Sequence, residues 1–268
     1  MLPTQPLSVG GILDAGINLY RTSFKTTFKV AAIAAVPYAV ITALMSARSN
    51  TIDPEIDPEL AMAAAMESLT LLPVTFLLLA FVMSALIHSQ VAVAREQPTT
   101  STASLLTGAR LAIPYFVLTI LYMVLIMLGM LALVIPGVIV SVSMALAMWV
   151  VHVEPERSVW GSLWRSHSLI WNGSWWRTAA VMAVVSIIGM VLSVVFYLGL
   201  GVLAFLEPTA EVSTPRVALE AAINWALMAI VAPLSSAVFL VLYNDALLRK
   251  EGADLDARLS QLESPNQP

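Results

Sequence analysis

Apolar residues run along this chain in long blocks, at 28–47, 69–94, 111–134, 136–153, 178–206 and 221–248. Each block is close to the roughly 20 residues that a helix, rising about 1.5 Å per residue, needs to cross some 30 Å of hydrocarbon. Backbone groups find no water there, so segments of this length satisfy their own hydrogen bonds as helices. The pattern predicts an all-α fold, a polytopic transmembrane helix bundle of about six spans. It forms one integral membrane domain over 1–250, with a short polar tail at 251–268. Pro136-Gly137 interrupts what would otherwise be one very long apolar run, which predicts a tight turn there and an antiparallel hairpin of spans three and four. Pro37 and Pro233 fall inside spans one and six, where each removes a backbone hydrogen bond and can bend the helix.

Two stretches outside the spans keep a helical period. Val9, Leu13, Ile17, Tyr20, Phe24 and Phe28 recur every three or four residues, with Asp14, Asn18, Arg21, Lys25 and Lys29 on an adjacent stripe. This predicts an amphipathic helix over about 7–27, whose basic edge and aromatic face suit either the lipid headgroup region or the underside of the bundle. Trp160, Trp164, His167 and Trp171 share one face of a second such helix over about 157–172, stopped by Asn172-Gly173. Ser8, Ser101 and Ser158 are each followed five residues later by Leu13, Leu106 and Leu163. The match suggests three units, each an interfacial helix followed by two spans, a kind of internal repeat also known in transporters.

Composition agrees with a membrane setting. The 268 residues are 59% hydrophobic and 11% charged, against roughly 45–50% and 25% in soluble domains. If odd-numbered spans leave the cytoplasm, the inner segments carry Arg21, Lys25, Lys29, Arg95, Arg110, Arg157, Arg165, Arg177, Arg249, Lys250 and Arg258, and the outer ones only Arg48 and Arg216. The positive-inside rule then puts both termini in the cytoplasm. The N-terminus lacks a basic region followed by a short apolar core, so no secretory signal is expected. The formal charge of −4 makes nucleic acid an unsuitable partner. The absence of cysteine removes disulfides, thiol nucleophiles and cysteine-ligated metals.

Candidate chemistry is sparse. His88, His152 and His167 show no i, i+4 metal spacing and read as interface histidines. Ser166-His167-Ser168 could suggest a nucleophile and base, but neighbouring helical residues point in different directions and no carboxylate partner is evident. Mid-span ionisable residues, the usual mark of a proton or ion pathway, are missing. Asp245 and Arg249 read as a solvated i, i+4 pair, and the outer Asp53, Glu55, Asp57 and Glu59 as a solvated acidic loop rather than a calcium site. Gly137, Ser141 and Ala145, and again Gly189 and Ser193, form small-residue ladders suited to close helix packing or, second, to a homo-oligomer contact. Six of the seven tryptophans, all but Trp225, lie within 149–176 and read as one asymmetric interfacial belt. A lipid-headgroup or ligand cage is the sharper alternative. No cofactor or metal site is expected. The residues singled out as a candidate lipid or partner interface are Tyr20, Arg21, Lys25, Trp160, Trp164, Arg165, His167, Trp171, Trp175 and Trp176.

Three segments, Leu7–Arg21, His152–Val159 with Arg165-Ser166, and Leu242–Asp245 with Arg249–Leu255, resemble the bacterial membrane-domain family associated with glycerophosphoryl diester phosphodiesterases. The resemblance covers almost the whole chain and implies a multi-pass protein of the bacterial inner membrane. In that family the membrane domain sometimes precedes a soluble catalytic barrel and sometimes stands alone. The barrel's metal-binding carboxylates and histidines have no counterparts in these residues, so the resemblance carries no catalytic residue over. The expected function is therefore a non-enzymatic module that organises membrane lipids or a partner membrane protein, or a second copy of itself, at the cytoplasmic face. A small permease or exporter subunit for a neutral or amphiphilic solute is the alternative. An intramembrane lipid-modifying enzyme using the histidines ranks third.

Overall fold

The computed structural model describes residues 2–50, 57–171, 173–206 and 214–263, and among them every regular element is a helix. Eight helices follow in order: α1 (Val9–Asn50), α2 (Pro58–Ala94), α3 (Ser101–Ala132), α4 (Val134–Ser143), α5 (Ala147–Val153), α6 (Val159–Trp171), α7 (Trp175–Leu206) and α8 (Thr214–Glu263). Six segments are long and apolar enough to cross a membrane, α4 and α5 together making the fourth. The chain is thus a polytopic, all-α membrane-type protein.

Several element boundaries differ from those expected. The first amphipathic stretch and the first span are one helix of 42 residues, about 63 Å long. Nothing between Gly16 and Pro37 breaks it, and Thr22 and Thr27 turn their hydroxyls back onto the carbonyls of Asn18 and Ser23, both at 3.0 Å. The apolar stripe of Val9, Leu13, Ile17, Tyr20, Phe24 and Phe28 is only half-buried. The buried face, Ile12, Gly16, Leu19, Ser23 and Thr27, lies one residue over. Small residues there let α8 approach, and a Cβ on Gly16 would sit 2.8 Å from the Cα of Val238.

The hairpin reverses at Leu133, not at Pro136-Gly137. Leu133 alone is extended, with φ −174° and ψ 156°, and Pro136 falls in the first turn of α4, where a missing N–H costs nothing. Gly137 serves close approach instead: a Cβ there would meet the backbone N of Met130 at 2.9 Å. Proline also lies inside α2 and α3, at Pro73 and Pro114, besides the expected Pro37 and Pro233. At the C-terminal end, α8 runs on to Glu263 through most of the expected tail. Asp53, Glu55, Glu207, Glu211 and Asn172 lie outside the described residues, whereas Asp57 caps α2 by accepting the Leu60 N–H at 2.9 Å.

The fourth span is broken. Between α4 and α5 the helix loses its register over Met144–Leu146, and Ser166 of α6 fills the gap. Its hydroxyl donates to the Ser143 carbonyl at 3.0 Å and accepts the Leu146 N–H at 3.1 Å. A break inside an apolar bundle is tolerated when neighbouring side chains satisfy the freed backbone groups in this way.

The three-unit pattern has a structural counterpart, with one shift. Ser8 and Ser158 accept the N–H groups of Gly11 and Gly161 as helix caps, both at 3.1 Å, but in the middle unit the cap is Thr100, bonded to Ala103 at 3.1 Å. The leucine five residues on is therefore Leu105, not Leu106. Eight residues after the caps come Gly16, Gly108 and Ser166, all buried at points of closest contact. Each packs onto the last helical segment of the preceding unit: α1 on α8, α3 on α2, and α6 on α4 and α5. The units thus close head to tail.

A small apolar cavity of about 80 Å³ remains where Leu13, Ile17, Gly189 and Val231 meet. A Cβ on Gly189 would reach no closer than 4.0 Å to Val231, so Gly189→Ala fits without strain. Replacing a mid-helix glycine removes its excess backbone entropy, and the variant is expected to be about 0.5–1 kcal/mol more stable. A higher thermal unfolding midpoint in detergent checks this, and an unchanged or lower one would show that α7 packs more tightly on α8 than these contacts indicate.

Candidate functional site

The expected interface residues separate into three groups. On α6 the aromatic side chains stand outward and the small ones inward. Ser162, Leu163, Ser166, Leu169 and Ile170 are buried, while Trp160, Trp164 and Trp171 are more than half exposed. His167 links the row, with its ring centroid 5.5 Å from Trp164 and stacked 5.2 Å from Trp171. Gly173, at φ +103°, supplies the left-handed residue that turns the chain from α6 into α7. Trp175 and Trp176 follow edge to face at 4.6 Å, and Trp176 is the most exposed aromatic residue among the described side chains, at 81%. Ile135, Ile139, Trp171, Gly173, Trp175 and Trp176 line an apolar groove of about 510 Å³.

On α1, Arg21 and Lys25 are exposed and Tyr20 half-buried. Tyr20, Phe24 and Phe28 form an aromatic ladder with successive centroids 5.3 Å apart. Two tryptophans leave the expected belt or its outer face: Trp149 is buried in the core, stacked 4.8 Å from Phe239, and Trp175 is only half-exposed. The reason for Trp149 is its position in α5, which is walled by α2, α3 and α8.

Arg165 does not belong to the aromatic face. It turns inward and joins a polar hub around Glu154, between α5 and α6. Glu154 Oε1 accepts from Arg165 Nε at 3.0 Å and from the Tyr243 hydroxyl at 2.7 Å, and Oε2 accepts from Arg157. Burial pushes the Glu154 carboxyl up, but the hydrogen bonds from Arg157, Tyr243 and Arg165 outweigh it and hold the group below its ordinary value. A carboxylate with a depressed folded pKa contributes stability that is present above its ordinary range near 4.5 and is lost as pH falls through the lower folded value. Acidification from pH 7 towards 3 is therefore expected to narrow the gap in unfolding temperature between wild type and Glu154→Gln. A gap that stays constant with pH would assign the effect to packing instead.

A second hub holds the N-terminal segment. Asp245, 2% exposed, accepts the Leu7 N–H at 2.7 Å, and Arg249 Nε donates to its other oxygen at 2.9 Å. Arg177 and Arg249 both donate to the Leu7 carbonyl, and Asn244 donates to that of Pro3 at 2.8 Å. Lys250 reaches Ser168 of α6 at 3.1 Å. The two hubs and the neighbouring Lys250 gather Arg157, Arg165, Arg177, Arg249 and Lys250 at one end of the bundle. They also bring together residues distant in sequence, Leu7 with Asp245 and Arg249, and Glu154 and Arg165 with Tyr243.

His152 is not an interface residue. It is 9% exposed, edge-on to Tyr115 at 5.8 Å, because α5 carries it between α2 and α3. Its Nδ1 lies 2.9 Å from the Met148 carbonyl, which can only accept, so Nδ1 carries the proton and Nε2 accepts from the Ser84 hydroxyl at 3.0 Å. This is the arrangement of a serine with an oriented base, at a Ser84 that is fully buried. The bond ties α2 to α5. Ser166, similarly, has its hydroxyl engaged at the helix break. Among the described residues no three His, Asp or Glu side chains converge to hold a metal ion.

Fold and site together define a multi-pass helical membrane-type protein with one basic, polar-bonded end and an exposed aromatic row. No protein-family model, curated protein or solved structure matches the chain.

Proposed function

We propose that the chain is a multi-pass protein of the bacterial inner membrane, with both termini cytoplasmic, that organises lipid or a partner membrane protein without catalysing a reaction. The observation that carries this reading is the row of Trp160, Trp164, His167 and Trp171 on α6. The helix is fixed by buried contacts on one side and offers tryptophan on the other. Indole rings left outward on a firmly seated helix lose little entropy on meeting lipid headgroups or a second protein. The gathering of Arg157, Arg165, Arg177, Arg249 and Lys250 at the same end supports a cytoplasmic placement. The meeting of Leu7, Glu154, Arg165, Tyr243 and Asp245 supports kinship with the phosphodiesterase-associated membrane domains, whose resemblance lies in those segments. The test is purification in mild detergent followed by native mass spectrometry, together with the lipid composition of a deletion strain. A reproducibly retained lipid or partner supports the reading. A bare protein and an unchanged membrane composition would sink it.

A second reading, transport of an amphiphilic solute, draws on a cavity of about 450 Å³ between α1 and α2. It is lined by Ile41, Leu44, Met45, Ala64, Leu71 and Ser68, with Glu67 beside them. Uptake or efflux by reconstituted protein would favour it, and inactivity across a broad panel of solutes would remove it.

A further inference from the structure

The three capped helices expose the same positions and place different chemistry on them. Six and thirteen residues after the caps stand Asp14 and Arg21 on α1, Leu106 and Ile113 on α3, and Trp164 and Trp171 on α6. All six are exposed, while the residues eight after the caps are buried in every unit. The shared scaffold therefore presents one charged, one aliphatic and one aromatic face.

On α1 the charged face continues as Arg21, Lys25 and Lys29, one helical turn apart and all exposed. They span about 12 Å of rise. No hydrogen bond or ion pair engages any of the three among the described residues. Asp14 stands two turns back on α1 and Glu96 follows the end of α2, while α3 contains no acid and the stretches of α2 and α8 that pack on α1 contain none between Glu67 and Ala94 or between Glu220 and Asp245. Beside the cations runs the Tyr20, Phe24 and Phe28 ladder, half-buried and apolar. Uncompensated cations above an aromatic shelf match an anionic phospholipid, with phosphate on the cations and glycerol and upper chain on the rings.

We infer that α1 reads the charge of the headgroup through Arg21, Lys25 and Lys29, whereas α6 holds lipid through tryptophan without regard to headgroup. This rests on the lipid-organising reading and assigns it a division of labour. α6 exposes no uncompensated cation: Arg165 is committed to Glu154, and His167 is stacked between two indoles. Each basic residue at an anionic surface contributes several-fold in affinity, so the three together favour an anionic over a zwitterionic lipid on the order of a hundredfold at low salt, and less as salt rises.

The full chain in mild detergent is offered equal amounts of phosphatidylglycerol and phosphatidylcholine with matched chains, and the retained lipids are counted by native mass spectrometry. Wild type is expected to retain phosphatidylglycerol at least tenfold over phosphatidylcholine. In R21Q/K25Q/K29Q the preference falls to near parity while the total retained stays close to wild type. The charge-conserving R21K/K25R/K29R keeps the preference, which separates loss of charge from misfolding. In W160L/W164L/W171L the total falls while the preference persists. A glutamine variant that keeps its preference overturns the inference, as does a tryptophan variant that loses it. Lipid retained with no headgroup preference in wild type also overturns it but leaves the lipid-organising reading standing. No retained lipid at all removes that reading too. Competition by inorganic phosphate without lipid enrichment would assign the cations to a free anion and overturn the lipid assignment.

Discussion

Gly108→Ala is expected to destabilise the protein by about 1–3 kcal/mol, and Gly108→Leu to prevent stable folding. An added Cβ would lie 2.5 Å from the Cβ of Ala85 and 2.7 Å from both its Cα and its backbone N. Backbone atoms cannot rotate aside, so α2 and α3 must move apart. That movement would loosen Ser104 and Ala112, buried on the same face of α3. Association of helices in lipid depends on such close packing, because burying apolar surface between them gains little when lipid is equally apolar. Ala109→Leu, one residue further on and exposed, is the control and is expected to be neutral. Chemical or thermal unfolding in detergent measures the series. Ala85→Gly in the Gly108→Ala background removes the nearest clashing atom and is expected to recover part of the loss. If Gly108→Ala unfolded like wild type, the α2 and α3 backbones would have to lie further apart than these distances say.

That contact illustrates what the sequence left unread. Span number and helical class follow from the length of the apolar blocks, since lipid leaves the backbone few alternatives. Which residue of a span faces a neighbour does not follow, because apolar residues surround the whole helix and no polar face points away from a core. Gly108, Gly16 and Gly129 carry no periodic signature for that reason, although each sits where two backbones nearly touch. The ladder through Gly137 stood out only because its small residues recur. On α1 the packed face lies one residue over from the visible aromatic stripe. The true face uses Ser23 and Thr27, whose hydroxyls are satisfied by their own helix and so cost nothing to bury.

The site was legible in part. Trp160, Trp164, His167 and Trp171 were readable as one face because they are polar-tipped aromatics at helical spacing, and the structure keeps them together. Arg165 and His152 were not, since partner and depth are tertiary properties. Arg165 lies one residue from Trp164, yet 100° around the helix it meets Glu154. His152 is two residues from Glu154 and looked interfacial, but α5 carries it inward to Ser84. The break at Met144–Leu146 carries no glycine or proline to announce it. Only the buried serine opposite, Ser166, marks the place.

The second large effect concerns Asp245. Asp245→Ala is expected to cost about 3 kcal/mol, between the ~1.5–3 kcal/mol of a charge-assisted hydrogen bond and the ~3–5 kcal/mol of breaking a fully buried ion pair. The carboxylate is buried, whereas Arg249 is about a third exposed, so water recovers part of the arginine's loss and the upper figure does not apply in full. What remains is the Leu7 N–H, left without its acceptor while Arg177 and Arg249 still draw on the Leu7 carbonyl. Leu2 and Leu7 pack against the main core cluster, so release of this segment uncovers apolar surface at the end of α8. Asp245→Asn keeps an acceptor for Leu7 and is expected to lose less than half as much. In D245A/R249A the stranded cation is gone, and the double variant is expected to be less destabilised than the sum of the single ones. Hydrogen exchange reads the local consequence, with faster exchange over residues 2–8 in Asp245→Ala than in wild type and slow exchange kept in the middle of α8. Equal protection of residues 2–8 in the two proteins would show that Asn244 and the arginines hold the segment without the carboxylate, and the large effect assigned to Asp245 would fall.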